Sequence, residues 1–187
     1  MLLKKLKVAL VTESLTQFGG AEVVLKKLVE IFSNSVIYTP LYDKNIIDEH
    51  FSKTKVIPSF LNHKWMIVKL HRFYLKQLPK AIESFNLKNF DLVITNTSSF
   101  SKGVIVPDKI PFISYIHSPT RYLWSDFDSY LDENIPFYLK PFKFVVRNIL
   151  IKLRKWDLEA AKKPKLMLAN SKNISRRITK YYHRDSE

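Results

Sequence analysis

An apolar run, PFISYI (111–116), leads directly to His117, and Ser118, Pro119, Arg121, Tyr122 and Trp124 follow within the next seven positions. An imidazole can hold or pass a proton near neutral pH. A guanidinium can fork onto an anion, while phenol and indole rings offer a flat apolar face with one polar tip. Pro119 restricts the turn that presents them. A second cluster is Gly19–Gly20, two of only three glycines in the chain, set between an apolar run and an amphipathic one. Glycines at such a junction admit a ligand close to the backbone, and the helix that follows can aim its first amides at a phosphate. Each cluster has a plainer reading: a Gly-Gly pair also makes a tight turn, and an isolated loop histidine is commonly structural. The residue types alone leave both readings open.

The pattern around these groups says what must position them. KVALVT (7–12) is almost continuously hydrophobic, as expected of a strand buried on both faces. In GGAEVVLKKLVEIF (19–32), Val24, Leu25, Leu28, Ile31 and Phe32 recur at helical spacing, with Lys26, Lys27 and Glu30 off the stripe. SVIYT (35–39), KVIPS (55–59), DLVITN (91–96), FISYI (112–116) and KLMLAN (165–170) read as further strands, and GVIV (103–106) as a weak one. Helices are expected over about 63–85 with a break or kink at Pro79, over about 141–162, and after a cap at Asn170 or Ser171. Strands interleaved with helices predict an α/β fold, a Rossmann-like, mainly parallel sheet with helices on both faces. In such sheets ligands bind outside the carboxyl ends of the strands. ESLTQFGGAE, TSSFSKG, HSPTRYLW and NSKNISRR all fall at those ends, so both clusters are expected on one edge.

Composition narrows the chemistry. The 187 residues fit one domain with a full core, and 46% hydrophobic content is that of a packed protein. The absence of cysteine removes disulfides, thiolate zinc sites and a cysteine nucleophile. The five histidines show neither H-E-x-x-H nor close pairing, so no metal site is expected. Serine hydrolysis lacks G-x-S-x-G, nicotinamide binding lacks G-x-G-x-x-G, and P-loop hydrolysis lacks GK[ST]. Glu22 and Glu30 match by spacing a paired-glutamate motif of nucleotide-sugar enzymes, but both lie on the first amphipathic helix with Glu30 toward solvent; the match reads as coincidence.

Charge is the loudest bulk feature: 31 Lys and Arg against 17 Asp and Glu leave a net +14. From Pro141 onward thirteen basic residues face four acidic ones. Such a field suits nucleic acid, an anionic membrane surface or phosphorylated substrates. No helix-turn-helix, zinc-finger or RNA-recognition signature is present, so specific nucleic-acid binding is not expected. Residues 63–80 and 136–156 mix Trp, Phe, Tyr and Leu with Lys and Arg, a pattern that fits a membrane interface and equally a helix packed on the sheet. No stretch reaches the roughly 20 apolar residues of a membrane span. The N-terminus lacks a signal-cleavage pattern, so the expected location is the cytoplasm, extending to the inner face of the cell membrane as a peripheral protein.

With FGGAE (18–22), DLVITNTSSFSKG (91–103), SYIHSPTRYLW (114–124), RKWDLEAAKKPKLMLANS (154–171) and ISRRITKYYHR (174–184) in that order, the chain resembles the N-terminal half of glycosyltransferase family 4. These are retaining GT-B enzymes, and the histidine-proline-aromatic cluster is especially similar to those that elongate O-antigen or other lipid-linked glycans. The resemblance implies transfer of a sugar from a nucleotide-sugar donor to a glycan or lipid-linked glycan acceptor, without a metal cofactor. It implies that Gly19 and Gly20 approach the donor diphosphate and that His117 reaches the transferred sugar near the reaction centre. Asn96, Ser98, Ser99, Arg121, Tyr122 and Trp124 would line the acceptor side, and Asn170 and Ser171 would shape the cleft between domains. Residues 1–187 would be the acceptor-side Rossmann-like domain, with the C-terminal nucleotide-sugar-binding domain absent from this chain and the isolated chain therefore inactive. The alternatives are a basic nucleic-acid-binding module and a noncatalytic sugar- or nucleotide-binding domain.

Overall fold

A computed structural model describes residues 5–63, 75–133 and 143–187. Its strands are β1 (Val8–Thr12), β2 (Ser35–Thr39), β3 (Lys55–Pro58), β4 (Leu92–Thr97), β5 (Phe112–Ile116) and β6 (Leu166–Ala169). They form one sheet in the order β3-β2-β1-β4-β5-β6, every pair parallel. The helices are α1 (Gly20–Ile31), α2 (Lys44–His50), α3 (Leu78–Glu83), α4 (Phe127–Glu133), α5 (Lys143–Ala160) and α6 (Lys172–Tyr182). This is the α/β, Rossmann-like architecture that the alternation of strands and helices predicts.

The continuous hydrophobicity of β1 follows from its central place. Successive side chains of a strand point to opposite faces. Val8 and Leu10 pack with Leu25, Phe32, Ile37 and Phe51 on one face, under α1 and α2. Ala9 and Val11 pack on the other with Ala81, Ile82, Leu131, Leu150 and Leu153, under α3, α4 and α5. A smaller cluster joins Ile116 and Met167 to Ile174, Ile178 and Tyr182 of α6. Both faces are covered, so no position of β1 can be polar until Thr12.

Strand order reverses between β1 and β4. The chain runs outward through β2 and β3, then returns to pair β4 with the other side of β1. Connections at such a switch point diverge, which leaves a crevice at the carboxyl ends of the two strands.

Three expectations need correction or completion. The weak strand at 103–106 does not form: Ser101–Gly103 is a single 3-10 turn, Val104 is buried and Ile105 is 55% exposed. Strand β4 already pairs with β1 and β5, so the sheet has no vacancy beside it. Gly103 is held instead against α5, where an added Cβ would come within 2.3 Å of the Trp156 ring. Pro79 begins α3 in its first turn, where its missing N–H costs nothing, rather than kinking a longer helix; residues 64–74 of that expected helix lie outside the described ones. The short helices α2 and α4 are absent from the sequence reading. Ser171, not Asn170, caps α6, its hydroxyl accepting from the Ile174 amide at 3.3 Å.

Candidate functional site

The residue after β1 organises the edge. Glu13 Oε1 accepts from Thr97 Oγ1 (2.8 Å), Ser99 N (3.0 Å), Ser101 N (3.1 Å) and Ser101 Oγ (2.8 Å), so one carboxylate oxygen gathers the loop that follows β4. Charge-assisted bonds of this kind are the strong ones. The chain beyond Glu13 is fixed by Leu15, fully buried, whose amide donates to Leu41 O at 2.8 Å and whose carbonyl accepts from Asp43 N at 2.8 Å. Phe18 then stacks on His50 with ring centres 3.6 Å apart, and the chain enters α1.

Asn96, the penultimate residue of β4, is 1% exposed and joins three elements. Its Nδ2 donates to Ala21 O at 2.9 Å and to Thr12 Oγ1 at 3.4 Å. With the amide so oriented, Oδ1 is the acceptor, and it lies 2.7 Å from His117 Nε2. The His117 backbone is held too: its N–H donates to Thr97 O at 2.9 Å, and its carbonyl accepts from Asn170 Nδ2 at 3.3 Å. Tyr115 meets the ring edge-on at 5.1 Å. Half-burial pushes the imidazole below its ordinary value near 6.5, and the Glu22 and Glu13 carboxylates offset only part of that shift. His117 is therefore neutral at neutral pH.

The glycine bend departs from the tight-turn expectation. Gly19 is extended (φ −141°), and its N–H donates to Glu22 Oε2 at 2.8 Å. Neither Gly19 nor Gly20 has a positive φ, so the turn does not demand glycine for its backbone. A Cβ at Gly20 would meet nothing within 4 Å, and what that glycine leaves is open space over the first turn of α1. Glu22 caps α1 and Glu30 pairs with Lys27 at 2.7 Å, so the two glutamates serve separate local contacts.

The aromatic cluster after His117 divides. Tyr122 Oη shares a 2.9 Å hydrogen bond with Ser99 Oγ, and burial pushes its phenol well above the ordinary range. Arg121 points outward and pairs with Asp126 at 2.6 Å, while Ser98 is exposed. Trp124 turns inward: its indole N–H donates to Asp157 Oδ2 at 2.7 Å, and its ring stacks on Tyr181 at 5.3 Å.

Beneath this edge lies an ion pair that sequence reasoning missed. Lys102 Nζ meets Asp157 Oδ1 at 2.5 Å with side chains 2% and 0% exposed. Thr120 Oγ1 donates to the same carboxylate at 2.8 Å, the Ser99 carbonyl accepts from Lys102 Nζ, and Tyr182 Oη accepts from the Thr120 amide at 3.3 Å. Burial alone would lower the Lys102 ammonium, but Asp157, with smaller help from Tyr182 and Glu13, raises it above its ordinary value. Glu13 was missed as well. Its signal was an acid directly after a buried strand, with the donor-rich run TSSFS after a second one.

No protein-family model and no curated protein matches the chain. The site's chemistry rests on its own residues.

Most of the basic excess is already engaged. Of the thirteen cations from Pro141 onward, only Lys152, Lys155, Lys172 and Arg176 lack a hydrogen bond, ion pair or ring contact among the described residues. Arg184, for example, caps carbonyls at the end of α5 and beyond, at 2.9 Å from Ala161 O and 2.6 Å from Pro164 O. An apolar groove of about 590 Å³ runs between α3 and α5, walled by Pro79, Lys80, Ile149, Lys152, Leu153 and Trp156 among others, and contains none of the nominated site residues. No helix among the described residues is long and apolar enough to cross a membrane.

Proposed function

We propose that the chain is the acceptor-side domain of a retaining GT-B glycosyltransferase, which moves a sugar from a nucleotide-sugar donor to a glycan or lipid-linked glycan. One observation carries this reading. The single side chain of Asn96 links Ala21 at the start of α1 to His117 through bonds of 2.9 and 2.7 Å, so the glycine bend and the imidazole share the switch-point edge. A donor diphosphate would pass over Gly20, with the transferred sugar at His117. Ser98, Ser99, Tyr122 and Arg121 would face the acceptor, and Asn170 and Ser171 the domain that closes on them.

The carboxylates set a division of labour. Glu22 occupies the Gly19 amide at the mouth of α1, and Glu13 lies across the edge. Negative charge there disfavours a phosphate held by this domain alone, so stabilisation of the departing diphosphate falls to a second α/β domain. The cations Lys152 and Lys155, with Phe144 62% and Val145 41% exposed on the same helix, favour an anionic membrane surface as a partner.

The test is a titration of the 187-residue chain, by chemical-shift mapping, with nucleotide-hexoses and with lipid-linked glycans. Shifts at His117, Ser99 and Tyr122, with no sugar transfer by the chain alone, are expected. Ligand-induced shifts nowhere on this edge would remove the reading; robust transfer by the isolated chain would remove the division of labour.

A further inference from the structure

The Asn96 amide cannot turn over. Its Nδ2 is committed to a backbone carbonyl, Ala21 O, at 2.9 Å, which has no proton to offer in return. Its Oδ1 must therefore accept, and the only donor placed on it among the described residues is His117 Nε2 at 2.7 Å. A neutral imidazole carries one N–H, so a proton held on Nε2 leaves Nδ1 with a bare lone pair. Among the described residues nothing donates to Nδ1.

We infer that Asn96 is a positioning residue that fixes His117 in the Nε2–H form, so that the half-buried ring offers its ligand a hydrogen-bond acceptor at Nδ1. The group it takes is then a donor, a hydroxyl or an amide N–H, and not an anion. The surroundings agree. Glu22 on α1 and Glu13 after β1 are the charged groups whose fields reach the ring, both negative, and Tyr115 on β5 covers one side. Burial keeps the ring from charging at neutral pH. Asn96 itself, 1% exposed and fully bonded, acts through His117 and not by touching a ligand. The hydroxyl clause rests on the sugar-transfer reading, whereas the position of the proton does not.

The experiment is imidazole ¹⁵N NMR on the 187-residue chain above pH 7, with His117→Gln to assign the ring among the five histidines. The expected result is one exchange-protected imidazole proton, on Nε2 of His117, with Nδ1 unprotonated. That proton should be lost to solvent exchange in Asn96→Ala. Asn96→Asp, which keeps an acceptor toward the ring, should retain it and raise the His117 titration midpoint. If neither variant folds, the parent chain still decides, since its protected proton sits on Nε2 or it does not. A protected proton on Nδ1, no protected proton, or one that survives unchanged in a folded Asn96→Ala overturns the assignment and leaves sugar transfer untouched. Methyl glucoside and inorganic phosphate then probe Nδ1 at matched ionic strength. A shift with the glucoside alone supports the donor clause; protonation of Nδ1 by phosphate, or no response to either, overturns it.

Discussion

Two polar networks sit one above the other in this molecule and differ in how completely they are closed. The lower one, Lys102–Asp157 with Thr120, Trp124 and Tyr182, is sealed, and both charges are compensated by hydrogen bonds inside the protein. The upper one, Glu13, Asn96 and His117 with the glycine bend, satisfies its buried members but leaves half of the imidazole and the space over Gly20 unclaimed. Polar residues are expensive to bury unless they are paired, so the lower network ties β4, β5, α5 and α6 together while the upper one stands on it. Ser99 belongs to both: its carbonyl accepts from Lys102 and its amide donates to Glu13. Stability should therefore reside below and ligand recognition above.

The largest effect tests the lower network. Asp157→Ala leaves the Lys102 ammonium buried without its counter-charge, which should cost about 3–5 kcal/mol in urea unfolding. Adding Lys102→Met should recover part of that loss by removing the stranded charge. A urea midpoint that Asp157→Ala does not move would mean the pair is open to water and the contrast is false. Next is Trp124, which the family resemblance puts on the acceptor side and the fold puts in the lower network. Trp124→Phe keeps a stacked ring but removes one donor from Asp157, a loss of about 1.5–3 kcal/mol for a bond to a charged group. Unchanged stability with weakened glycan binding would return Trp124 to the upper network. Arg121→Ala should cost no more than about 1 kcal/mol, since its pair with Asp126 is exposed, and any larger change should appear in ligand affinity instead.

The sheet was legible in the sequence because period and β-branching are local signals, and all six strands, β1 to β6, announce themselves that way. GVIV carries the same local signal and still fails, because whether β4 has a free side is a property of the whole sheet. The upper network was partly legible: Gly19, Gly20, Asn96 and His117 all lie at strand ends, where position alone nominates them. What no pattern could say is that Asn96 is buried and serves His117 rather than a ligand. The lower network was invisible. Lys102 and Asp157 are 55 residues apart, and a lysine or an aspartate on an amphipathic segment reads as surface. Only the packing of α5 against the 3-10 turn at Gly103 brings them together.

The smallest effect separates the networks by pH. In the lower one, Lys102 is raised above its ordinary 10.5 and burial pushes the Tyr182 phenol up to about 12, so neither changes charge between pH 5 and 8. A raised lysine contributes stability that is present below its unfolded value and lost only as pH climbs through the folded one, far from neutrality. His117 runs the other way. Its folded value is depressed, so the unfolded chain binds more protons near pH 6.5, and the stability this group contributes is present above that value and lost as pH falls toward the folded one. Part of the acid slope below pH 6.5 should therefore vanish in His117→Gln, measured by thermal or urea unfolding at several pH values against the parent. The same slope should be untouched in Arg121→Ala. A parent and His117→Gln that fall in parallel through this window would mean that the imidazole is solvated like a free one, and the upper network would lose the half-buried, neutral ring on which its chemistry depends.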